Sequence, residues 1–498
     1  MDAFHLVKSV VVRFGQSTLS TSLMITAAAL LAGILVLFLL LRPKDKPSHH
    51  RLPPGSLGLP FVGETLPLLR ALRCNKAQEF FDSRVKKFGN VFKTSLVGHP
   101  TIVVCGPSAN KLILSNENKL VVNSWPSSLI KLIGQESLST KTGEDHKSIR
   151  AALASYISTA ELQKNLDKMS SVIREHIDKK WKGKEQVKAV PLVNQLVFAL
   201  AADLFFGIDD EDEQERLHHL VETVAAGCLS VAVDLPGTSY HRAVRAHQEL
   251  DKIISSLMEK RRSQLRSGEA SPSQDLLSVL LTFKDERGKR LTDKEIVDNV
   301  SVFLHGGSDT TISPVVLMLK LFDSNPECYQ KMAQEQLEII SNKTEGEEVT
   351  WKDLREMKYT WQAAQETLRL FPPVFGTFRR AITDIHYDGY TIPKGWKILW
   401  TPYSTHGKEE YFREAEKFRP ERFDEGEADP SPYVYIPFGA GARKCPGWEL
   451  SKLEILIFMH HFVKNFSSYS IDPNEGIAAD PTPPLPANGL AIKLHPRV

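Results

Sequence analysis

Cysteine is scarce and scattered: Cys74, Cys105, Cys228, Cys328 and Cys445 are the whole complement of 498 residues. No two form a C-x-x-C pair. That argues against a zinc site or a secreted disulfide framework and fits a reducing compartment. An excess of one charge is lacking too. Lys and Arg number 62 against 60 Asp and Glu, a net charge of +2, so nothing in the overall charge points to nucleic acid. There is no internal repeat or low-complexity tract, no G-x-S-x-G run for a hydrolase and no H-E-x-x-H run for a zinc peptidase. The remainder is an ordinary globular composition, 42% hydrophobic, in a chain long enough for a large core.

One apolar run stands out. Leu23 to Leu41 carries no charge, and at ~1.5 Å per residue it is long enough to cross a ~30 Å bilayer core. Arg42, Lys44, Lys46 and Arg51 follow it, against Lys8 and Arg13 before it, so the positive-inside rule puts the C-terminal bulk in the cytosol. The run exceeds the usual length of a cleaved signal's apolar region, and no small-residue cleavage site precedes the basic cluster. The stretch Leu52-Pro-Pro-Gly-Ser-Leu-Gly-Leu-Pro60 is too rich in turn formers for helix or central strand. The expected organisation is a short segment over 1–22, a transmembrane anchor over 23–41, a basic, proline-rich hinge over 42–60 and a globular body over 61–498.

Within the body, Val91 to Leu96 and Thr101 to Val104 flank Gly98-His99-Pro100 and predict a hairpin. From about Ala160 to Phe283 the pattern is helical and amphipathic, broken at Leu235-Pro-Gly237 and at Ser267 to Ser273. Asp388 to Gly395 is turn-rich between short strands. The expected fold is mainly α with small β-sheets.

The decapeptide Phe438-Gly-Ala-Gly-Ala-Arg-Lys-Cys-Pro-Gly447 reads F-x-x-G-x-R-x-C-x-G. A thiolate acts as nucleophile or metal ligand only when its charge is stabilised. Backbone N–H groups at Gly439, Gly441 and Gly447, with the positive end of the following helix, can supply that. A buried structural thiol is the competing explanation of a lone cysteine, but it leaves the other four identities unaccounted for. Upstream, Thr292 and Glu295 have capping-box spacing. They open a helix that runs into His305-Gly-Gly-Ser-Asp-Thr-Thr311. Each glycine costs a helix roughly 1 kcal/mol. Either the backbone is kept open for a ligand, with Asp309 and Thr310 as an acid–hydroxyl pair for proton transfer, or the hydroxyls bond back to carbonyls around a kink helped by Pro314. Glu366 and Arg369 share a helical face, and Arg422 in Pro420-Glu-Arg-Phe423 can complete a buried network that holds the cysteine loop.

In order and spacing these four motifs resemble the haem-thiolate monooxygenases, the cytochrome P-450 family, over essentially the whole body. The resemblance implies a cytochrome P-450 fold and haem b ligated by Cys445, with Phe438 packed near the sulphur. It also implies Thr310 and Asp309 as the oxygen-activating pair, Glu366, Arg369 and Arg422 as the structural network, and Arg443, Arg379 and Arg150 as partners of the haem propionates. Where the family often carries Trp four residues before the last of these arginines, this chain has His146. Longer runs, among them SLVGHPTIVVCGP, QDLLSVLLTF and KYTWQAAQETLRLFPPVFGTFRRAITDIHYDGYTIPKGW, resemble the taxoid hydroxylases of yew. They imply hydroxylation of a lipophilic taxane diterpenoid with dioxygen, electrons coming from NADPH through a membrane-bound cytochrome P-450 reductase. Localisation at the endoplasmic reticulum membrane, catalytic body to the cytosol, goes with this. Gly439-Ala-Gly441 and His305-Gly-Gly307 depart from that subgroup's usual triple glycine and Ala-Ser pairing.

By family position the substrate pocket is expected along Trp125 to Leu132 (Trp125 and Leu129), at Phe303, Leu304 and Gly307, at Val374 and Phe375, and at the turn Ala487-Asn-Gly489; core packing is the alternative for each. Lys141, Lys147, Lys444 and Lys452 are expected to meet an acidic reductase surface. Rival functions are oxidation of another terpenoid or sterol, a reductase-independent rearrangement, or a haem carrier, which has no need of a proton relay.

Overall fold

Val97 and Gly98 both adopt positive φ, 51° and 74°, the two-residue turn whose twist suits a hairpin. They join β1 (Val91–Leu96) to β2 (His99–Val104). The second strand begins two residues earlier than Thr101, because His99 and Pro100 still pair with Leu96 and Ser95. With β3 (Val121–Asn123), β4 (Thr377–Ala381) and β5 (Lys397–Trp400), they make a five-stranded sheet ordered β1-β2-β5-β4-β3. Only the β2–β5 pair is parallel. Register decides which side chains share a face. Thr377 lies opposite Trp400, and Arg379 opposite both Ile398 and Asn123, so Asn123, Thr377, Arg379 and Trp400 point the same way.

The computed structural model describes Gly33 and residues 51–58, 63–228, 230–344, 346–424, 432–479 and 483–497. The expected segment 1–22, the transmembrane anchor apart from Gly33, and most of the hinge lie outside them. Leu52 to Val498 forms one compact unit. The described part of the hinge is tied into the body: Lys93 N donates to Pro54 O at 2.8 Å, and Gly55 bridges Lys93. A Cβ on Gly55 would stand 2.1 Å from the Lys93 carbonyl oxygen.

Six helices frame the site: α1 (Gly143–Ala154), α2 (Ala189–Phe206), α3 (Glu211–Cys228), α4 (Asp293–Ser324), α5 (Lys358–Leu370) and α6 (Trp448–Asn465). Helix α2 is, among the described residues, the one long and apolar enough to cross a membrane, and most of it is buried in the core instead. The breaks expected between 160 and 283 are present, after α3 and beyond Ser267. Helix α4 starts at the reciprocal Thr292–Glu295 box, with Thr292 N donating to Glu295 Oε2 at 2.8 Å. It runs 32 residues, through both glycines and through Pro314. Pro314 has no N–H, so the Thr310 carbonyl loses its usual helical donor. Leu304, Val316 and Leu319 of α4 pack with Leu456 and Phe458 of α6 in the main helical core.

Candidate active site

Gly439 and Gly441 sit at φ +67° and +68°, where a side chain is strained. A Cβ at Gly441 would also meet Leu114 O at 2.0 Å. Ala440 lies between them at φ −150°, a conformation any residue adopts, which is why the triple glycine is unnecessary. Cys445 N donates to Phe438 O at 2.8 Å and closes the loop. Gly447 caps α6 and turns its N–H toward the Cys445 sulphur. Burial pushes the Cys445 thiol up, with the Gly447 N–H, Arg150 and Lys444 opposing it. Of the three glycine N–H groups expected to stabilise the sulphur, Gly447's does so, Gly439's donates instead to Ile436 O at 3.0 Å, and burial outweighs the stabilisation. A coordinated metal cation is what deprotonates a thiol so placed.

The Glu366 network forms as expected. Glu366 accepts from Arg369 Nε at 2.7 Å and Nη2 at 2.8 Å, from Arg422 Nε at 2.8 Å and from Arg419 N at 3.0 Å. Arg369 continues to His406 O at 2.7 Å, and His406 Nε2 accepts from Ile436 N at 2.9 Å, two residues before Phe438. Burial holds His406 down at about 3, with Arg369 adding to it, so the ring is neutral and able to accept. The network therefore reaches the cysteine loop through one histidine.

Cys445 lies at one side of a cavity of about 330 Å³ between α4, the cysteine loop, α1 and the sheet. Of the expected residues, Trp125, His146, Arg150, Phe303, Gly307, Thr310, Val374, Arg379, Phe438, Arg443 and Cys445 line it. The basic cluster is distinctive. Burial lowers His146 to about 3, with Arg443, Arg150 and Arg379 adding to it, so it is uncharged, and its Nε2 is buried without a partner among the described residues. Arg379 falls to about 10 through burial, Glu117 opposing and Arg443 adding. Glu117 stands between two of the arginines, 2.9 Å from Arg443 Nη2 and 3.4 Å from Arg379 Nε. Arg150 faces the cavity with no ion pair among the described residues.

Along α4, Phe303, Gly306, Gly307 and Thr310 share the cavity face. A Cβ on Gly306 would meet nothing within 4 Å, so the space beside this backbone is open. The hydroxyls do bond back, Thr310 Oγ1 to Gly306 O at 2.7 Å and Ser308 Oγ to Leu304 O at 2.6 Å. Openness and back-bonding thus coexist. Asp309 is not on the cavity wall. It lies toward α3, where burial, with Glu222 adding, raises it to about 6. Leu304 is fully buried in the core, Phe375 packs against Phe378 and Leu399, and neither these, Leu129 nor the Ala487–Gly489 turn reaches the cavity. His305 bonds Ser301 O through Nδ1 and is likewise off the wall. Sequence inspection missed Phe205, Leu368, Thr377, Trp400 and Glu454, all on the wall. Glu454 carries no local signal at all; burial raises it to about 8, tempered by a hydrogen bond with Thr311.

A family model described as cytochrome P-450 matches residues 53–488. Taxane 10-beta-hydroxylase of Taxus cuspidata is 56% identical over 499 residues, covering 100% of both chains. Taxane 13-alpha-hydroxylase of the same yew is 56% identical over 97% of this chain and 99% of that one. Among solved structures, the retinoic acid bound cyanobacterial CYP120A1 aligns with a TM-score of 0.82 at 30% identity, over 90% of this chain and 100% of that one. The donor set fits the cofactor this similarity implies. One sulphur is poised on a capped loop, the orphaned His146 Nε2 and the unpaired Arg150 can answer carboxylates, and the walls between are largely apolar. The chain belongs to the cytochrome P-450 family of haem-thiolate monooxygenases.

Proposed function

We propose that this enzyme hydroxylates a taxane diterpenoid, using dioxygen and electrons passed from NADPH by a cytochrome P-450 reductase. The observation that carries the substrate class is full-length identity of 56% to yew hydroxylases named for two different taxane carbons. Equal likeness to both supports the class and leaves the carbon open.

Cys445 would hold the haem iron, with Phe438 lining the same cavity. Arg150, Arg379 and Arg443, with His146 as a neutral donor, would hold the propionates. Haem supplies the oxygen-activating chemistry at this place. Thr310 presents a hydroxyl whose own hydrogen is engaged by Gly306 O, leaving its oxygen to accept from a bound group in the open space beside Gly306. Asp309, raised to about 6 by burial, is a carboxyl able to take up and release a proton not far below neutrality, on the α3 side of the same helical turn. Trp125, Phe205, Phe303, Leu368 and Val374 give the apolar wall a terpenoid requires. Trp125 is fixed by its Nε1 donating to Ser139 O at 2.9 Å.

Lys444 and Lys452, 4.3 and 5.0 Å from the Trp448 and Trp361 rings, are the cations proposed to meet the reductase. Lys141 and Lys147 are already paired, with Glu136 and Glu144, and are weaker candidates. The apolar run Leu23 to Leu41 and the basic residues after it support a single-pass anchor in the endoplasmic reticulum membrane, with the body in the cytosol.

In microsomes, the reduced, carbon monoxide-treated protein should show the Soret shift of thiolate ligation, and Cys445→Ala should abolish it. Retention of the shift in that variant overturns the ligand assignment. Reductase-coupled turnover of a taxane panel, read by product NMR, should yield hydroxylated taxanes; turnover without NADPH would replace hydroxylation by rearrangement.

A further inference from the structure

Glu117 stands out among the carboxylates near the cavity because it belongs to none of the family motifs described above, yet two cavity-lining arginines converge on it. Its side chain and that of Arg379 are 3% and 4% exposed. Arg443 donates from Nε to Glu117 Oε1 at 3.0 Å, and Asn123 N donates to the same oxygen at 3.2 Å. Asn123 Oδ1 in turn accepts from Arg379 Nη1 at 2.9 Å. The other side is incomplete: Glu117 Oε2 and Arg379 Nε are both buried without a hydrogen bond among the described residues.

Two features bring this about. Gly441, lacking a Cβ, lets the cysteine loop close onto Leu114 O, which sets Arg443 beside the turn that carries Glu117. The β3–β4 pairing sets Arg379 opposite Asn123. The Arg379 and Arg443 side chains are buried and Arg150 is half-buried, and such guanidiniums without a counter-charge would oppose folding. One carboxylate among them leaves the guanidiniums ahead by two, and haem carries two propionates.

We infer that Glu117 is a positioning residue for the haem seat: it orients Arg379 and Arg443 before the cofactor arrives and trims the seat's charge to match a dianion. The inference rests on the haem reading above. Charge and orientation are separable by experiment in the full-length holoenzyme. Glu117→Gln keeps the shape and removes the charge. Because reduction adds an electron at the iron, losing a nearby negative charge favours the reduced form, so spectroelectrochemistry should show a more positive potential. Glu117→Asp keeps the charge but cannot span both arginines, so its potential should stay at the wild-type value while haem transfer to apomyoglobin speeds up, roughly tenfold.

A wild-type potential in the Gln variant, or a Gln-like potential in the Asp variant, overturns the charge role. Wild-type haem release in the Asp variant overturns the positioning role, and decides the matter should the Gln variant not accumulate. In each of these outcomes the wild-type protein still shows its haem spectrum. Absence of that spectrum would instead sink the haem reading itself.

Discussion

Two buried clusters of arginine and carboxylate lie in the catalytic body, and they are built to opposite ends. Around Glu366 the account is closed. Arg369 and Arg422 direct their donors to the carboxylate and to backbone carbonyls of residues 406, 413, 414 and 417, and none of the three residues keeps an orphaned buried atom. Around Glu117 the account is open. Arg379 Nε and Glu117 Oε2 face each other at 3.4 Å without a hydrogen bond, His146 Nε2 has no hydrogen-bond partner among the described residues, and Arg150 has no carboxylate. A closed cluster holds the chain's shape, whereas an open one is shaped for something that arrives later. The same residue types therefore serve architecture in one place and recognition in another, and completeness of hydrogen bonding separates them.

Removing Glu366 should produce the largest effect that distinguishes the two. Glu366→Ala strands two buried guanidiniums, which costs about 3–5 kcal/mol. Chemical denaturation should show that loss, or the variant should fail to yield soluble haem protein. Unchanged unfolding would remove the distinction. In the open cluster the opposite pattern is expected. Arg150→Ala deletes a half-buried cation with no carboxylate partner among the described residues, so the apoprotein should unfold at the same temperature or higher. Haem affinity should still fall about 10–100-fold, as haem titration would measure. A destabilised apoprotein would class Arg150 with the closed cluster.

Glu454 offers the smallest test, as a buried carboxyl with no cation. Its folded value, about 8, lies above the unfolded 4.5. Its contribution to stability is therefore complete below pH 4.5, declines as pH rises, and is gone beyond about 8. Between pH 7 and 9 the loss is about 1.4 kcal/mol. Glu454→Gln should flatten this part of the pH–stability curve, and a slope equal to wild type would remove Glu454 as its source.

Much of the closed cluster was legible because its parts are local. Glu366 and Arg369 are one helical turn apart, and a proline-led turn announces Arg422. The cysteine loop was legible for the same reason, since glycines with positive φ leave a mark in composition. Helix phase explains what was misplaced. On α4 the cavity takes residues 302, 303, 306, 307, 310 and 311, the spacing of one broad face. Leu304 and Asp309 fall just past the two edges of that face and turn to the core and toward α3. Thr377 and Trp400 were invisible because they reach the cavity through sheet register, and Glu117 because it meets the cavity arginines through a loop-to-loop approach; neither leaves a periodic trace.

The short bridge at Pro54 and Gly55 has a practical consequence. Strand β1 is an edge of the five-stranded sheet, and the Lys93 N–H on its outer side is answered by Pro54 O. A chain shortened to begin after Gly58 would leave that edge bare, a template for strand addition between molecules. Versions trimmed for solubility should therefore keep residues from Leu52 onward; cutting beyond them trades an apolar leader for a sticky margin.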